Sequence, residues 1–190
     1  MVEKRSNNAL NANPDVFHYP NHSDINITTH GSDVYWAITA LMAFATICFV
    51  ALSFRVPRSK RIFHYITAAI TMTASVAYFT MASNLGYAAI IQEFQRNDPV
   101  VRGVYREIFY VRYIDWVVTT PVYWTCGGIT MFLWFLYPIA WGLSEGGNVI
   151  SGDSEAVFYG VLDVLAKIGF GIALLAGHRN IDPAATRIAY

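Results

Sequence analysis

The chain has 190 residues, 55% of them apolar and only 14% charged, against roughly 25% charged in an ordinary soluble domain. Its formal net charge of zero offers neither a basic face for nucleic acid nor an acidic solvating tail. No Gly-rich phosphate loop, serine elbow or HExxH pair is present, so catalysis on a diffusible substrate has no support and no enzyme is expected. The cysteines, Cys48 and Cys126, lie in apolar stretches without metal-type spacing, which argues against a disulfide framework or a zinc site.

Residues 1–34 are polar and rich in Asn, with Pro14 and Pro20 and no sustained periodicity, and read as a tail. No apolar core follows Lys4-Arg5 closely enough for a signal peptide. Two acceptor sequons, Asn21-His22-Ser23 and Asn26-Ile27-Thr28, matter only if the tail faces a lumen, and such triplets are frequent by chance. The first apolar run, Tyr35 to Phe54, has the length needed to cross a bilayer, about 20 residues. It ends in Arg55-Val56-Pro57-Arg58-Ser59-Lys60-Arg61, a short loop with four positive charges. A second span is predicted from Ile62 to Ala89, its Ser, Thr and Ala residues suited to close helix approach. The connector Gln92 to Arg102 carries charges of both signs. The positive-inside rule then puts the Arg55–Arg61 loop in the cytoplasm and the N-terminal tail outside.

The third span is predicted from Glu107 to Thr125, interrupted after it by Gly127-Gly128. A fourth apolar stretch, Ile129 to Leu143, has 15 residues, short against the roughly 17–25 of a spanning helix. After the loop Ser144-Glu145-Gly146-Gly147-Asn148, the last span runs from Glu155 to Ala176, and His178-Arg179 closes it on the cytoplasmic side. The expected fold is an all-α transmembrane helix bundle of about five helices. A polar outer tail over 1–34 precedes the bundle over 35–178, and a short cytoplasmic tail over 179–190 follows it.

Charges at the centre of a membrane helix cost about 2.5–3.5 kcal/mol each on insertion scales. Four are present: Arg112 and Asp115 in the third span, Asp163 and Lys167 in the last. Their charges cancel, as a buried cluster requires. Asp163 and Lys167 are four apart and Arg112 and Asp115 three apart, so each pair shares a helix face. If the faces meet, Lys167 has two carboxylates nearby. One reading is an ion-pair network that specifies helix packing. The other is a lysine that forms an imine with a carbonyl cofactor, with Asp115 and Asp163 as counter-ions. Trp134, Tyr137 and Trp141, with Trp116 and Tyr113 beside Asp115, line faces suited to a long flat ligand, although such stripes are often packing alone.

Three segments resemble the microbial rhodopsins. Arg112-Tyr113-Ile114-Asp115-Trp116-Val117-Val118-Thr119-Thr120-Pro121 is similar to their third helix. Trp134-Phe135-Leu136-Tyr137-Pro138-Ile139-Ala140-Trp141 resembles the sixth, and Leu162-Asp163-Val164-Leu165-Ala166-Lys167-Ile168-Gly169-Phe170-Gly171 the seventh. The wording of Gly142-Leu143-Ser144-Glu145-Gly146-Gly147-Asn148 and His178-Arg179-Asn180 is closest to the fungal branch. The resemblance implies all-trans retinal bound as a Schiff base to Lys167. It makes Asp115 the primary counter-ion and proton acceptor, Asp163 the second counter-ion and Arg112 the charge beside them. Trp116, Trp134, Tyr137 and Trp141 would wall the polyene with Thr119 and Thr120 near it, and Glu145 and Glu155 would handle proton release. The implied activity is light-driven proton transport in a multi-pass plasma-membrane protein that contacts lipid and retinal and no nucleic acid.

The chain departs from that family pattern in two places. The third-helix motif runs within a few residues into the second half of the sixth, so the fourth and fifth helices and the cytoplasmic half of the sixth are missing from a seven-helix plan. The family's cytoplasmic proton donor, a carboxylate eleven residues after the acceptor, falls on Cys126. Two other readings follow: a light sensor without net transport, or a shortened isoform that binds no retinal. The isoform would act by associating with another copy or with a full-length relative.

Overall fold

Thr28 starts the first helix, its hydroxyl accepting from the His30 N–H at 3.2 Å and satisfying one of the amides that a helix start leaves without partners. The computed structural model describes residues 23–91, 105–123 and 128–179, excepting the side chains of 121–134. Helix α1 (Thr29–Ser53) therefore begins inside the expected tail, six residues before Tyr35. It buries a single stripe, Tyr35, Ile38, Met42, Ala45, Phe49 and Ser53. Its other faces stay apolar and exposed, with Phe44 at 64% and Ile47 at 66%. A helix apolar on every side but buried on one is built for lipid.

Helix α2 (Arg61–Ala82) follows a one-turn 3-10 helix at Arg58–Lys60. It turns Thr67, Ala68, Thr71, Ala74, Ser75 and Ala82 inward, and side chains that small let two backbones approach closely. Hydroxyls tie α1 and α2 along their length. The Ser32 hydroxyl donates to the Ala82 carbonyl at 3.0 Å, Thr46 meets Thr71 at 2.8 Å, and the Ser75 hydroxyl donates to the Thr39 carbonyl at 3.2 Å.

The second span ends at Ala82, not at the expected Ala89. Asn84 adopts φ 54°, its N–H donates to the Met81 carbonyl, and the Leu85 N–H reaches back to that of Thr80. That pair of bonds is a Schellman stop, which asks for a residue tolerant of the left-handed region. Gly86 follows at φ +70°, where an added Cβ would lie 2.9 Å from the Val111 Cβ. The chain then forms strand β1 (Ala88–Ile91), which pairs antiparallel with β2 (Tyr105–Ile108), Ala88 opposite Ile108. Asp24 and Ile25 add to the same edge through the Tyr105 carbonyl. The hairpin is a small addition to a helical bundle, and it moves the start of the third helix from Glu107 to Tyr110, because the backbone of 105–108 is committed to strand pairing.

Helices α3 (Tyr110–Tyr123) and α4 (Gly128–Leu143) have 14 and 16 residues. The last rod, α5 (Gly152–Gly177), opens on Ser151, whose hydroxyl accepts from the Ser154 N–H, and carries a π turn at Val164–Gly169. Five helical rods thus stand among the described residues. Three of them, α1, α2 with its preceding turn, and α5, are long and apolar enough to cross a membrane. The main core lies where those three meet, on Tyr35, Ile38, Met42, Ala74, Tyr78, Met81 and Ala156, closed at one end by Phe109. Gly160 lets α5 press onto the Ile38 side chain. A smaller core of Ala140, Tyr159 and Leu162, with Trp116 and Tyr137 against it, joins α4 to α5.

Candidate functional site

The two charged faces meet. The Lys167 ammonium donates to Asp115 Oδ2 and lies 3.2 Å from Asp163 Oδ2, all three groups being buried. Asp163 is held from two helices, accepting from the Tyr78 hydroxyl at 2.7 Å and the Tyr137 hydroxyl at 2.5 Å. Asp115 is held differently: its Oδ1 is buried with no hydrogen-bond partner among the described residues. The π turn sits on Lys167 itself, and such local widenings of a helix are frequent at functional sites.

One helical turn along α3 toward the hairpin, Arg112 forms the next level. Its Nη1 donates to Glu145 Oε1 at 3.0 Å and to Glu155 Oε1 at 2.7 Å. Its Nη2 donates to the Tyr35 hydroxyl at 2.9 Å, and the guanidinium lies 4.1 Å from the centre of the Tyr159 ring. The Tyr113 hydroxyl donates to Glu145 Oε2. Beyond that level Arg106, 1% exposed on β2, donates to Glu155 Oε2 at 2.7 Å, to Asn148 Oδ1, and twice to the Ile150 carbonyl at 3.2 Å. A ladder of opposite charges therefore runs from Lys167 to the hairpin end of the bundle. Burial pushes the Glu145 carboxyl up to about 7, with Arg112 opposing and Glu155 reinforcing that rise. Burial likewise raises the Glu107 carboxyl, which accepts from the Ile27 N–H at 3.0 Å.

Beside Lys167 opens a cavity of about 350 Å³ lined by Tyr113, Trp116, Thr119, Thr120, Tyr137, Pro138, Trp141, Asp163, Ala166 and Lys167. That volume is at the lower end of small-molecule sites, about 300–1,000 Å³. Its walls come from α3, α4 and α5, and Trp141 is 46% exposed although it lines the cavity. Aromatic rings with an amine and a carboxylate in one lining suit an apolar aldehyde. The orphaned Asp115 Oδ1 and the buried, unpartnered Trp116 Nε1 mark where polar groups await a ligand or water.

Of the residues singled out in the sequence, the structure gathers Lys167, Asp115 and Asp163 into one cluster and Arg112, Glu145 and Glu155 into the next. Trp116, Thr119, Thr120, Tyr137 and Trp141 border the cavity. The Trp134 side chain and Cys126 lie outside the described residues. Sequence reasoning missed Arg106, Tyr35 and Tyr78. Both tyrosines fall on the buried stripes of their helices, a periodicity that marks them as inward. Arg106 has no such signal, because its partner Glu155 is 49 residues away.

Residues 30–125 and 122–181 match the family of bacteriorhodopsin-like proteins. The chain belongs to that family. The opsin-like protein carO of Fusarium fujikuroi is 44% identical over 257 aligned positions, covering 95% of this chain and 83% of its own length. Since 95% of 190 residues is about 180, some 77 of those positions have no counterpart here. Opsin-1 of Neurospora crassa is 28% identical, covering 80% of this chain and 79% of its own. The crystal structure of a light-driven proton pump from Leptosphaeria maculans superposes with a TM-score of 0.74 at 27% identity, covering 83% of this chain and 99% of that one. The two family matches meet at Val122–Thr125, where the third-helix motif runs into the sixth. This is a multi-pass membrane protein of the fungal opsin branch, a reduced form of the seven-helix rhodopsin bundle.

Proposed function

We propose that this chain is a retinal photoreceptor in which Lys167 carries the chromophore, Asp115 accepts its proton, and protons leave past Arg112 through Glu145 and Glu155. The observation that carries the reading is a buried lysine that pairs with two carboxylates and lines an aromatic-walled cavity. All-trans retinal, when bound, supplies a light-driven isomerisation that relocates positive charge relative to its counter-ions.

The chain's own residues divide the remaining work. Both Asp163 oxygens accept tyrosine hydroxyls, which holds its carboxyl in place beside Lys167. Asp115 keeps one oxygen without a partner among the described residues, which leaves room for a proton at Oδ1. Arg112, three residues from Asp115 on the same helix face, links that event to the acid pair through its bonds to Glu145 and Glu155. Trp116, Tyr137 and Trp141 orient an apolar ligand and keep water from the amine. The N-terminus is outside and the C-terminus cytoplasmic in this reading, in the plasma membrane. In the same reading a polar outer tail precedes the bundle, which runs through 178, and a short cytoplasmic tail over 179–190 follows it.

The deciding experiment is an absorption spectrum of the detergent-solubilised chain after adding all-trans retinal, beside Lys167→Ala. A visible band lost in the variant is expected. No band from native protein shown to be folded and inserted sinks the reading. It would leave the isoform that binds no retinal and works by pairing with another copy or a full-length relative.

A slow-cycling light sensor without net transport is the second reading. It is favoured by α5, whose stretch Ile168–Gly177 beyond Lys167 holds no carboxylate, and by Cys126 at the position of the family's donor. A thiol, ordinarily titrating near about 8.5, reprotonates a buried site poorly at neutral pH. Light-driven pH change in vesicles as large as a pump's, and unaltered by Cys126→Asp, rules it out.

A further inference from the structure

Glu145 and Glu155 share Arg112, yet they are not equivalent. Glu155 spends both oxygens on guanidinium groups, Oε1 on Arg112 at 2.7 Å and Oε2 on Arg106 at 2.7 Å. Glu145 meets one guanidinium, that of Arg112 at 3.0 Å, it lies in hydrogen-bonding reach of the Glu155 carboxyl, and its second oxygen accepts from the neutral Tyr113 hydroxyl. The asymmetry is built by the hairpin. Arg106 is almost wholly buried, projects from β2, and is held by the Ile150 carbonyl and the Asn148 side chain of the segment joining α4 to α5.

We propose that Arg106 is a positioning residue that commits the second oxygen of Glu155 to a guanidinium and so makes Glu145 the member of the outer acid pair that holds and releases the proton. Charge-assisted bonds on both oxygens of a carboxylate strongly favour its ionised form. Two carboxyls on one guanidinium repel when both are ionised, so the proton goes to the one with less cationic company. The groups facing Glu155 are Arg106 and Glu107 from β2, Arg112 from α3, Glu145 from the α4–α5 segment, Tyr35 from α1 and Tyr159 on its own helix. Only the two arginines are cations, and only Arg106 favours Glu155 over Glu145 by direct contact. The rise of the Glu145 carboxyl to about 7 agrees with that assignment.

The inference deepens the proton-exit reading above and rests on it for what the released proton does. Its test needs neither light nor retinal. Infrared titration of the chain in detergent, without retinal, follows the protonated carboxyl band. In the native chain one band should titrate near neutral pH, disappear in Glu145→Gln and persist in Glu155→Gln. In Arg106→Gln the proton should spread over both acids, so that Glu155→Gln now changes the band as much as Glu145→Gln does. The band's midpoint should rise by about 1–3 pH units. Arg106→Lys should restore the native pattern in large part. Asn148→Ala, which loosens the tie and leaves the charge, should keep the band on Glu145. If Arg106→Gln, with native helix content, leaves the band on Glu145 at its native midpoint, Arg106 is a structural tie and the proposal is overturned. A missing visible band with retinal would fail the photoreceptor reading and leave this result standing.

Discussion

Helices α1 and α2 close on one another through small residues and hydroxyl bonds and α5 presses onto α1 at Gly160, whereas α3 and α4 turn branched and aromatic side chains outward, Val117 at 74% and Phe135 at 71% exposed. The charged ladder stands at the boundary between these two sides. Its anchors on the closed side, Tyr35, Tyr78, Glu155, Asp163 and Lys167, are all buried. The cavity opens on the other side, where the rings of α4 are the outer wall. The ladder and the cavity share α3 and α5, but the ladder gains Tyr35 and Tyr78 from α1 and α2 while the cavity takes its outer wall from α4. Removing two helices strips the pocket's wall and leaves the ion pairs intact.

The largest effect should come from Lys167→Ala, which takes the one cation from between Asp115 and Asp163. Breaking a buried pair from one side costs about 3–5 kcal/mol, read as a lowered Tm in detergent together with loss of the visible band. A variant as stable as the native chain would mean the carboxylates are solvated through the open side, and the contrast between sides would fail.

Packing gives the next test. Met42→Ala, at a wholly buried α1 position, should cost about 2–5 kcal/mol. Val117→Ala on the open face should stay within about 0.5 kcal/mol. Equal losses would show that α3 is covered in the folded protein, by another chain or by residues beyond those described.

Stability should also fall with pH through the outer cluster. An acid raised from its ordinary 4.5 to about 7 binds its proton in the folded state where the unfolded chain has lost it. The folded state is therefore favoured below pH 4.5, and the advantage drains away between 4.5 and about 7. Fully expressed, that span corresponds to about 3 kcal/mol. Glu145→Gln should flatten the slope of Tm against pH across this window, and an unchanged slope would remove Glu145 from it.

A more modest loss belongs to the turn that leads into the hairpin. Gly86→Ala places a side chain at φ +70° against Val111 and should cost about 1–2 kcal/mol. Because Gly86 lies outside the ladder, Lys167 chemistry should not change.

Much of the site was readable in the chain because its residues are anomalies there. Arg112, Asp115, Asp163 and Lys167 stand out as charges in apolar runs, and spacing alone puts them on two faces. The hairpin was not readable. Ala88–Ile91 is as apolar as a helix end, and only its pairing with Tyr105–Ile108 reveals a strand. The stop at Asn84 carried a signal, an Asn two residues before a Gly, which the long apolar run around it obscured. Arg106 gave none, sitting between the mixed-charge connector and the predicted third span, where solvation is the default for arginine.

The sequence by itself determined that the chain enters a membrane, which family's motifs it carries, and which charges had to be paired. Burying a charge in lipid is costly enough that composition and spacing announce it. Only the tertiary structure decided who pairs with whom. It put Glu155 between two arginines, tied Asp163 to tyrosines from two helices, and left one Asp115 oxygen without a partner among the described residues. Those choices depend on contacts between segments tens of residues apart, which local periodicity does not encode, and on a few tenths of a nanometre that separate a carboxylate held from one free to take a proton.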